Sequence, residues 1–331
     1  MYIVESYTTA VILTFITMLC WGSWANTQKI ARGYRFELYY WDYVLGILIF
    51  SLILGFTLGS NGSEGMSFTQ SISQASARNI GNAMLGGIIF NLSNILLVAA
   101  IAIAGMSIAF PVGVGLCMVL GVIINYIATP RGDAFTLFVG VALVTLAIVL
   151  DALAYRKLTS SQHTTPAKGI ILSVTAGFLM AWFFRFVASS IASDPLMPEA
   201  GKLTPYTAFF FFVIGIVLSN LLFNTFLMKK PITGEPVTFK QYFREGPKGH
   251  LAGILGGMIW ALGTALSLIA AGKAGYAISF GLGQGATLIG ALWGVFIWKE
   301  FKAAPKGTNV QLALMFLLFV AGLGMIIIAG I

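Results

Sequence analysis

The sequence predicts an all-α membrane protein with ten transmembrane helices, arranged as two inverted five-helix repeats. Three observations predict it. First, 58% of the 331 residues are hydrophobic and 9% are charged, against about 25% charged in a soluble domain. Such a chain cannot cover itself with polar surface, but it suits lipid, where inner and outer faces are equally apolar. Second, ten segments reach the roughly 20 apolar residues that a helix needs to cross the hydrocarbon core. Third, two stretches spell similar text 170 residues apart, without a gap. Gly87, Phe90, Asn94, Leu96, Ala100, Gly105, Ile108, Phe110, Gly113 and Gly115 correspond to Gly257, Trp260, Thr264, Leu266, Ala270, Gly275, Ile278, Phe280, Gly283 and Gly285. Each stretch holds two spans joined by a Gly turn. Duplicated helix sets mark carriers that rock one half against the other.

The expected spans are residues 9–29, 40–59, 79–104, 107–128, 134–154, 169–192, 206–228, 250–271, 276–298 and 309–330. Turn signals separate most of them, among them Asn61-Gly62, Thr129-Pro130, Asp194-Pro195 and Lys230-Pro231. The repeats are expected over 1–158 and 159–331. The only charge before Lys29 is Glu5, which does not fit a cleavable signal, so the first span is expected to be retained.

The formal net charge of +8 is carried by short loops, so it reads as topology rather than as a nucleic-acid surface. Loops after spans 1, 3, 5, 7 and 9 hold fourteen of the nineteen Lys and Arg residues. The opposite loops hold Arg78, Arg131, Lys202 and Lys273, and Arg185 falls within span 6. The positive-inside rule then puts both termini outside, here of a bacterial inner membrane. With five spans per half, the two halves run in opposite directions.

Polar groups in hydrocarbon are costly, so each needs a reason. Arg185 is expected in an aqueous cavity, donating to solute, to Asn side chains or to free carbonyls; the alternative is a snorkelling or structural Arg. Trp182 lies three residues before it, on the same helical face. Trp21, Trp24 and Gln28 share a face of span 1. An indole can stack on a planar base or a sugar ring, or it can simply pack helices. Asn91, Asn94, Trp260, Thr264 and Gln284 complete the expected solute-binding set, since amides suit an uncharged polar ligand. Asn220 and Asn224 are weaker candidates. Pro111 and Gly113 in span 4, matched by Gly281 and Gly283 in span 9, are expected to gate, because matched interruptions point to a carrier's centre. Asp42 is the leading proton-coupling candidate, at the cytoplasmic mouth, with Asp151 and Glu300 behind it.

Gly22-Ser-Trp24 and Trp41-Asp42-Tyr43, with the opening Met1 to Ser6 and a basic loop before span 2, resemble the ureide permease family. The resemblance extends to sugar permeases of the glucose/ribose and rhamnose–proton type, all within the drug/metabolite transporter superfamily. It implies uptake of a ureide, a nucleobase or a monosaccharide by alternating access, with proton coupling in several members. The segment from Arg156 to Lys168 departs from the plant pattern. It is short and lacks the long cytosolic insert with its nucleotide-binding-like motif, so nucleotide-linked regulation does not carry over.

A proton-independent facilitator and a multidrug or metabolite exporter are the alternative functions. An enzyme is not expected. His163 and His250 read as cytoplasmic-loop residues far from any carboxylate cluster, and Cys20 and Cys117 have no metal-ligand spacing. The expected partners are a small-molecule solute, protons and the lipid bilayer, with no cofactor and no nucleic acid.

Overall fold

The computed structural model describes residues 1–331 except Arg32, Ser63, Gly105, 159–166 and Thr233; at Ala102, Met106, Ser107 and Phe110 it describes the backbone alone. His163, Arg32 and the Gly105 turn therefore lie outside the described residues.

Ten helices are long and apolar enough to cross a membrane, and among the described residues the only β pairing is an isolated bridge between Ile191 and Leu203. Span 1 is two segments, Tyr7–Ser23 and Asn26–Ile30. Span 2 is Phe36–Phe56, span 3 Ala77–Ala104, span 4 Met106–Ala128 and span 5 Ala134–Leu158. Span 6 is Ala167–Ser190, span 7 Pro205–Lys229 and span 8 Pro247–Ala274. Span 9 is broken into Tyr276–Gly283, Ala286–Leu292 and a π-helical turn, Trp293–Ile297; span 10 is Thr308–Ile328.

Local chemistry explains the ends. Asp133 caps span 5, its Oδ2 accepting the Thr136 N–H at 2.7 Å. Thr204 caps span 7 and Pro205 fills the first helical position, as Pro247 does in span 8. Two spans start three or four residues earlier than hydropathy suggests. In span 2, Arg35 clamps Glu37 bidentately at 3.1 and 2.8 Å. This lets charged residues enter the first turn.

The packing follows a pattern. Span 3 packs on spans 6 and 7, and span 8 packs on spans 1 and 2. Span 4 lies on span 6 and span 9 on span 1, while span 2 meets span 7 and span 5 meets span 10. Each half therefore lends its first helix to the other. The two main crossings use matched glycines. A Cβ on Gly87 would collide with the Phe212 carbonyl and crowd Ile216; one on Gly257 would collide with the Tyr43 carbonyl and crowd Ile47. Likewise Gly215 faces the Met84 carbonyl, and Gly46 that of Ile254. Close backbone approach through small residues is how helices associate in lipid, where no hydrophobic force drives them together.

The helices end on two faces. The odd-loop face carries the loops after spans 1, 3, 5, 7 and 9. The terminal face carries both chain termini and the remaining loops.

Candidate solute site

A cavity of about 420 Å³ runs from the molecule's centre to the odd-loop face. That volume suits a small ligand. Its deep end is formed by Trp21, Trp24, Phe90, Asn94, Pro111, Phe183, Trp260 and Gln284, and its mouth by Asn26, Lys29, Tyr155, Trp293, Trp298 and Glu300. Asp151 lies on the wall between them.

Each aromatic ring is fixed by a specific neighbour. The break in span 1 after Ser23 presents both Trp21 and Trp24 to the cavity. Trp21 Nε1 donates to Thr264 Oγ1 at 3.0 Å, and its ring lies against Gly263 and Gly283. The Trp24 ring lies 4.8 Å from that of Tyr43. Trp260 stacks on Phe90 with centroids 4.6 Å apart. These two occupy equivalent positions in the echoed text and meet at the cavity's inner end. Asn94 Nδ2 donates to Tyr40 Oη at 3.1 Å. Among the described residues, no protein hydrogen bond engages Asn94 Oδ1 or the Gln284 amide.

Five expected binding residues are off this wall. Asn91 is fully buried behind it, taking the Tyr40 hydroxyl at 2.8 Å and donating to Ser219 Oγ at 2.9 Å, which ties spans 2, 3 and 7. Thr264 is buried and positions Trp21. Gln28 falls beyond the span 1 break, so its register with Trp21 and Trp24 is lost. Trp182 is 36% exposed, beside Phe178 and Phe186 on the outer surface of span 6. Arg185 lines a separate pocket at the terminal face. Asn220 is fully buried, and Asn224 Nδ2 bonds the Glu37 carbonyl at 2.9 Å, so neither serves the cavity.

The matched interruptions of spans 4 and 9 differ in outcome. Span 4 runs through Pro111 as one helix, with Gly113 packed against Gly177 of span 6. Span 9 breaks at Gln284-Gly285, next to Gly283, while Gly281 faces Val122 and Ile326. Pro111 lies inside the helix, where it removes one backbone hydrogen bond; a membrane helix packed against neighbours tolerates that loss.

Between the cavity and the terminal face lies an aromatic plug. Phe183 stands 6.4 Å from Phe280; Phe280 is 5.3 Å from Phe184, and Phe184 is 6.2 Å from Tyr276. The edge of Phe280 rests on Gly121, where a Cβ would collide with the ring. Sequence reading missed this plug, because lone Phe residues in apolar spans carry no signal.

At the mouth, Lys29 Nζ pairs with Glu300 Oε1 at 3.0 Å and lies 4.4 Å above the Trp298 ring, while the Tyr155 hydroxyl donates to Glu300 Oε2 at 2.8 Å. Asp151 Oδ1 is buried and, among the described residues, accepts no hydrogen bond.

Asp42 is absent from the cavity wall and 1% exposed. It takes donors from Tyr242 at 2.6 Å, Tyr34 at 2.7 Å and His250 Nδ1 at 2.9 and 3.0 Å. His250 is therefore not a loop residue remote from carboxylates. It lies in the first turn of span 8, because Pro247 starts that helix earlier than hydropathy suggests. Burial, reinforced by the hydrogen bond to Asp42, pushes the Tyr34 and Tyr242 phenols well above their ordinary range, so both remain donors at neutral pH. The cluster fastens the loops after spans 1 and 7 to spans 2 and 8.

Comparison with known proteins agrees with this architecture. The ureide permease family model matches residues 39–165 and 156–329. Ureide permease 1 and ureide permease 2 of Arabidopsis thaliana are 26% and 25% identical, each alignment covering 98% of this chain and 98% of the relative. The "Probable glucose uptake protein GlcU" of Bacillus cereus is 22% identical over 72% of this chain and 76% of its own. A crystal structure of another protein superposes with a TM-score of 0.69 at 15% identity, over 97% of this chain and 96% of that one, a likeness of fold.

Proposed function

Because this chain belongs to the ureide permease family, and so is an integral membrane transporter of small solutes rather than an enzyme, we propose that its Trp-lined cavity is the solute site of an alternating-access carrier. The observation that carries this reading is the cavity itself, which opens toward one face and is sealed from the other by the aromatic plug.

A planar or ring-shaped polar solute enters from the odd-loop face, stacks on Trp21, Trp24 or Trp260, donates a hydrogen bond to Asn94 Oδ1, and bonds the Gln284 side-chain amide. The named relatives include ureide permeases and a glucose uptake protein, and Trp with amides suits both a ureide or nucleobase ring and a sugar. The halves 1–158 and 159–331 act as inverted repeats, rocking about the glycine crossings and the Phe90–Trp260 stack. The state described here is open to the cytoplasm, on the argument that the basic odd-loop face is cytoplasmic, with both termini outside and the chain in a bacterial inner membrane. Opening the other way requires Phe183, Phe184 and Phe280 to part. Gly281 and Gly283, beside the break in span 9, let that span bend, with Pro111 and Gly113 as its counterpart on span 4.

Proton coupling is assigned to Asp151 rather than Asp42. Asp151 is on the pathway, and among the described residues its buried Oδ1 has no hydrogen-bond donor, so it is free to exchange a proton with the route. Glu300, Lys29 and Tyr155 surround the route to it. Asp42 acts as a structural tie.

Uptake into proteoliposomes, tested with uracil, allantoin, xanthine, glucose and rhamnose, decides the matter. At least one solute should accumulate saturably, and Asn94→Ala should lower its uptake by about tenfold, the worth of one or two lost hydrogen bonds. Uptake that is indifferent to a collapsed pH gradient makes the protein a facilitator. Absence of saturable uptake of any solute ends the carrier reading.

A further inference from the structure

The terminal face holds a second pocket, about 650 Å³, that the reading above does not use. Its wall carries Arg78 from the start of span 3, Arg131 from the turn between spans 4 and 5, Arg185 from span 6 and Lys202 from the loop before span 7. Among the described residues no Asp or Glu lines it. Two of these cations are oriented by backbone: Arg131 Nη1 donates to the Gly272 carbonyl at 2.9 Å, and Lys202 Nζ to that of Ser189. Of the carboxylates nearby, Glu199 is close enough to Lys202 to offset part of its charge, which leaves the three arginines as the field of the recess. Glu199 accepts from Ser193 N at 3.1 Å, and Asp133 from Thr136 N at 2.7 Å. Among the described residues Arg185 forms no ion pair.

Four elements thus deliver like charges to one recess, although like charges repel. Arg185 is the deepest, five residues before the end of span 6. A guanidinium inside a span is costly unless it serves a pathway or a ligand. Cations in a low-dielectric mouth focus their field and concentrate anions. The guanidinium fork matches a carboxylate bidentately. Tyr276 lines the same pocket and is the last ring of the aromatic plug, so the recess adjoins the closed end of the proposed pathway.

We propose that this recess is a vestibule that binds the carboxylate of a small organic anion, with Arg185 as the principal ligand and Arg78 and Arg131 as its attracting field. Its place as the antechamber of transport rests on the carrier reading; its anion binding does not.

The test uses purified full-length protein and two matched pairs, orotate against uracil and glucuronate against glucose, with affinity measured by isothermal titration. In at least one pair the acid should bind about tenfold or more tighter at low salt, the scale of one charge-assisted pair. Raising salt from about 20 to about 300 mM should erode that preference and leave the neutral partner unaffected. Arg185→Gln should cut the preference to below about threefold while leaving neutral binding intact, which also reports that the variant is folded. Should Arg185→Gln not fold, Arg131→Gln at the exposed turn should still halve the preference. Three results overturn the proposal: equal binding within both pairs, a preference that survives both substitutions, or displacement by chloride as effective as displacement by acetate, which makes the recess a site for any inorganic anion. If the acid preference holds but no solute accumulates in proteoliposomes, the carrier reading fails and the anion site stands.

Discussion

The two mouths of this molecule lie over glycine crossings that the sequence echoes, but they differ in chemistry. The odd-loop mouth mixes signs: Lys29 is neutralised by Glu300, two tryptophans flank the pair, and the opening continues into the cavity. The terminal mouth carries four cations with, among the described residues, no acid on its wall, and is cut off from the cavity by the Phe183–Phe280–Phe184 plug. Beneath both mouths, Gly87 and Gly257 each abut a backbone carbonyl of the facing helix. The echo in the text repeats what close helix packing in lipid demands. It leaves free what faces water, because a side chain in a wet recess has few neighbours to satisfy.

The comparison breaks most readily at the plug. Asn94→Cys should react with an impermeant thiol reagent only from the odd-loop face, since Cys20 and Cys117 are both buried. Adding Phe183→Ala and Phe280→Ala should raise labelling from the terminal face by about tenfold, a shift of only ~1.4 kcal/mol between states. One-sided labelling that persists in the triple variant shows that the seal lies elsewhere.

Next comes the carboxylate on the cavity wall. Asp151→Asn should remove the stimulation of uptake by an inward proton gradient and spare equilibrium exchange of solute. A variant still driven by the gradient takes Asp151 out of the coupling.

The shared scaffold gives the third test. Gly87→Ala and Gly257→Ala each force a Cβ into a backbone carbonyl. Both should lower thermal stability by a similar amount, about 1–3 kcal/mol. Unequal effects mean that the two crossings do not carry equal load.

The smallest effect belongs to the odd-loop mouth. Lys29 is nearly half exposed, so Glu300→Gln should cost less than about 1 kcal/mol and change uptake by less than about threefold. A larger loss makes Glu300 part of the solute or proton pathway.

The ten spans and the 170-residue echo were legible because lipid imposes long apolar runs, and a duplicated run shows in the text. Trp21, Trp24, Asn94, Trp260 and Gln284 were legible as cavity residues because polar or indole groups in mid-span need a reason to be there. Asn91 and Thr264 look the same in the sequence, yet they face neighbouring helices; a rotation of one residue separates solvating a cavity from bonding Ser219 or Trp21. Trp182 and Arg185 share a stripe of span 6 by spacing, but the first turns to the outer surface and the second to the terminal recess. His250 was placed wrongly because hydropathy could not see that Pro247 begins the helix.

By itself, the sequence determined ten apolar runs long enough to cross a membrane, the 170-residue echo in the text, and which few groups are costly in lipid, since composition and period follow from the solvent alone. Tertiary structure decided which of those groups share a cavity, what seals it, and how four distant cations come to face one recess. Those outcomes depend on helix rotation and on contacts between residues far apart in the chain, which no local pattern encodes.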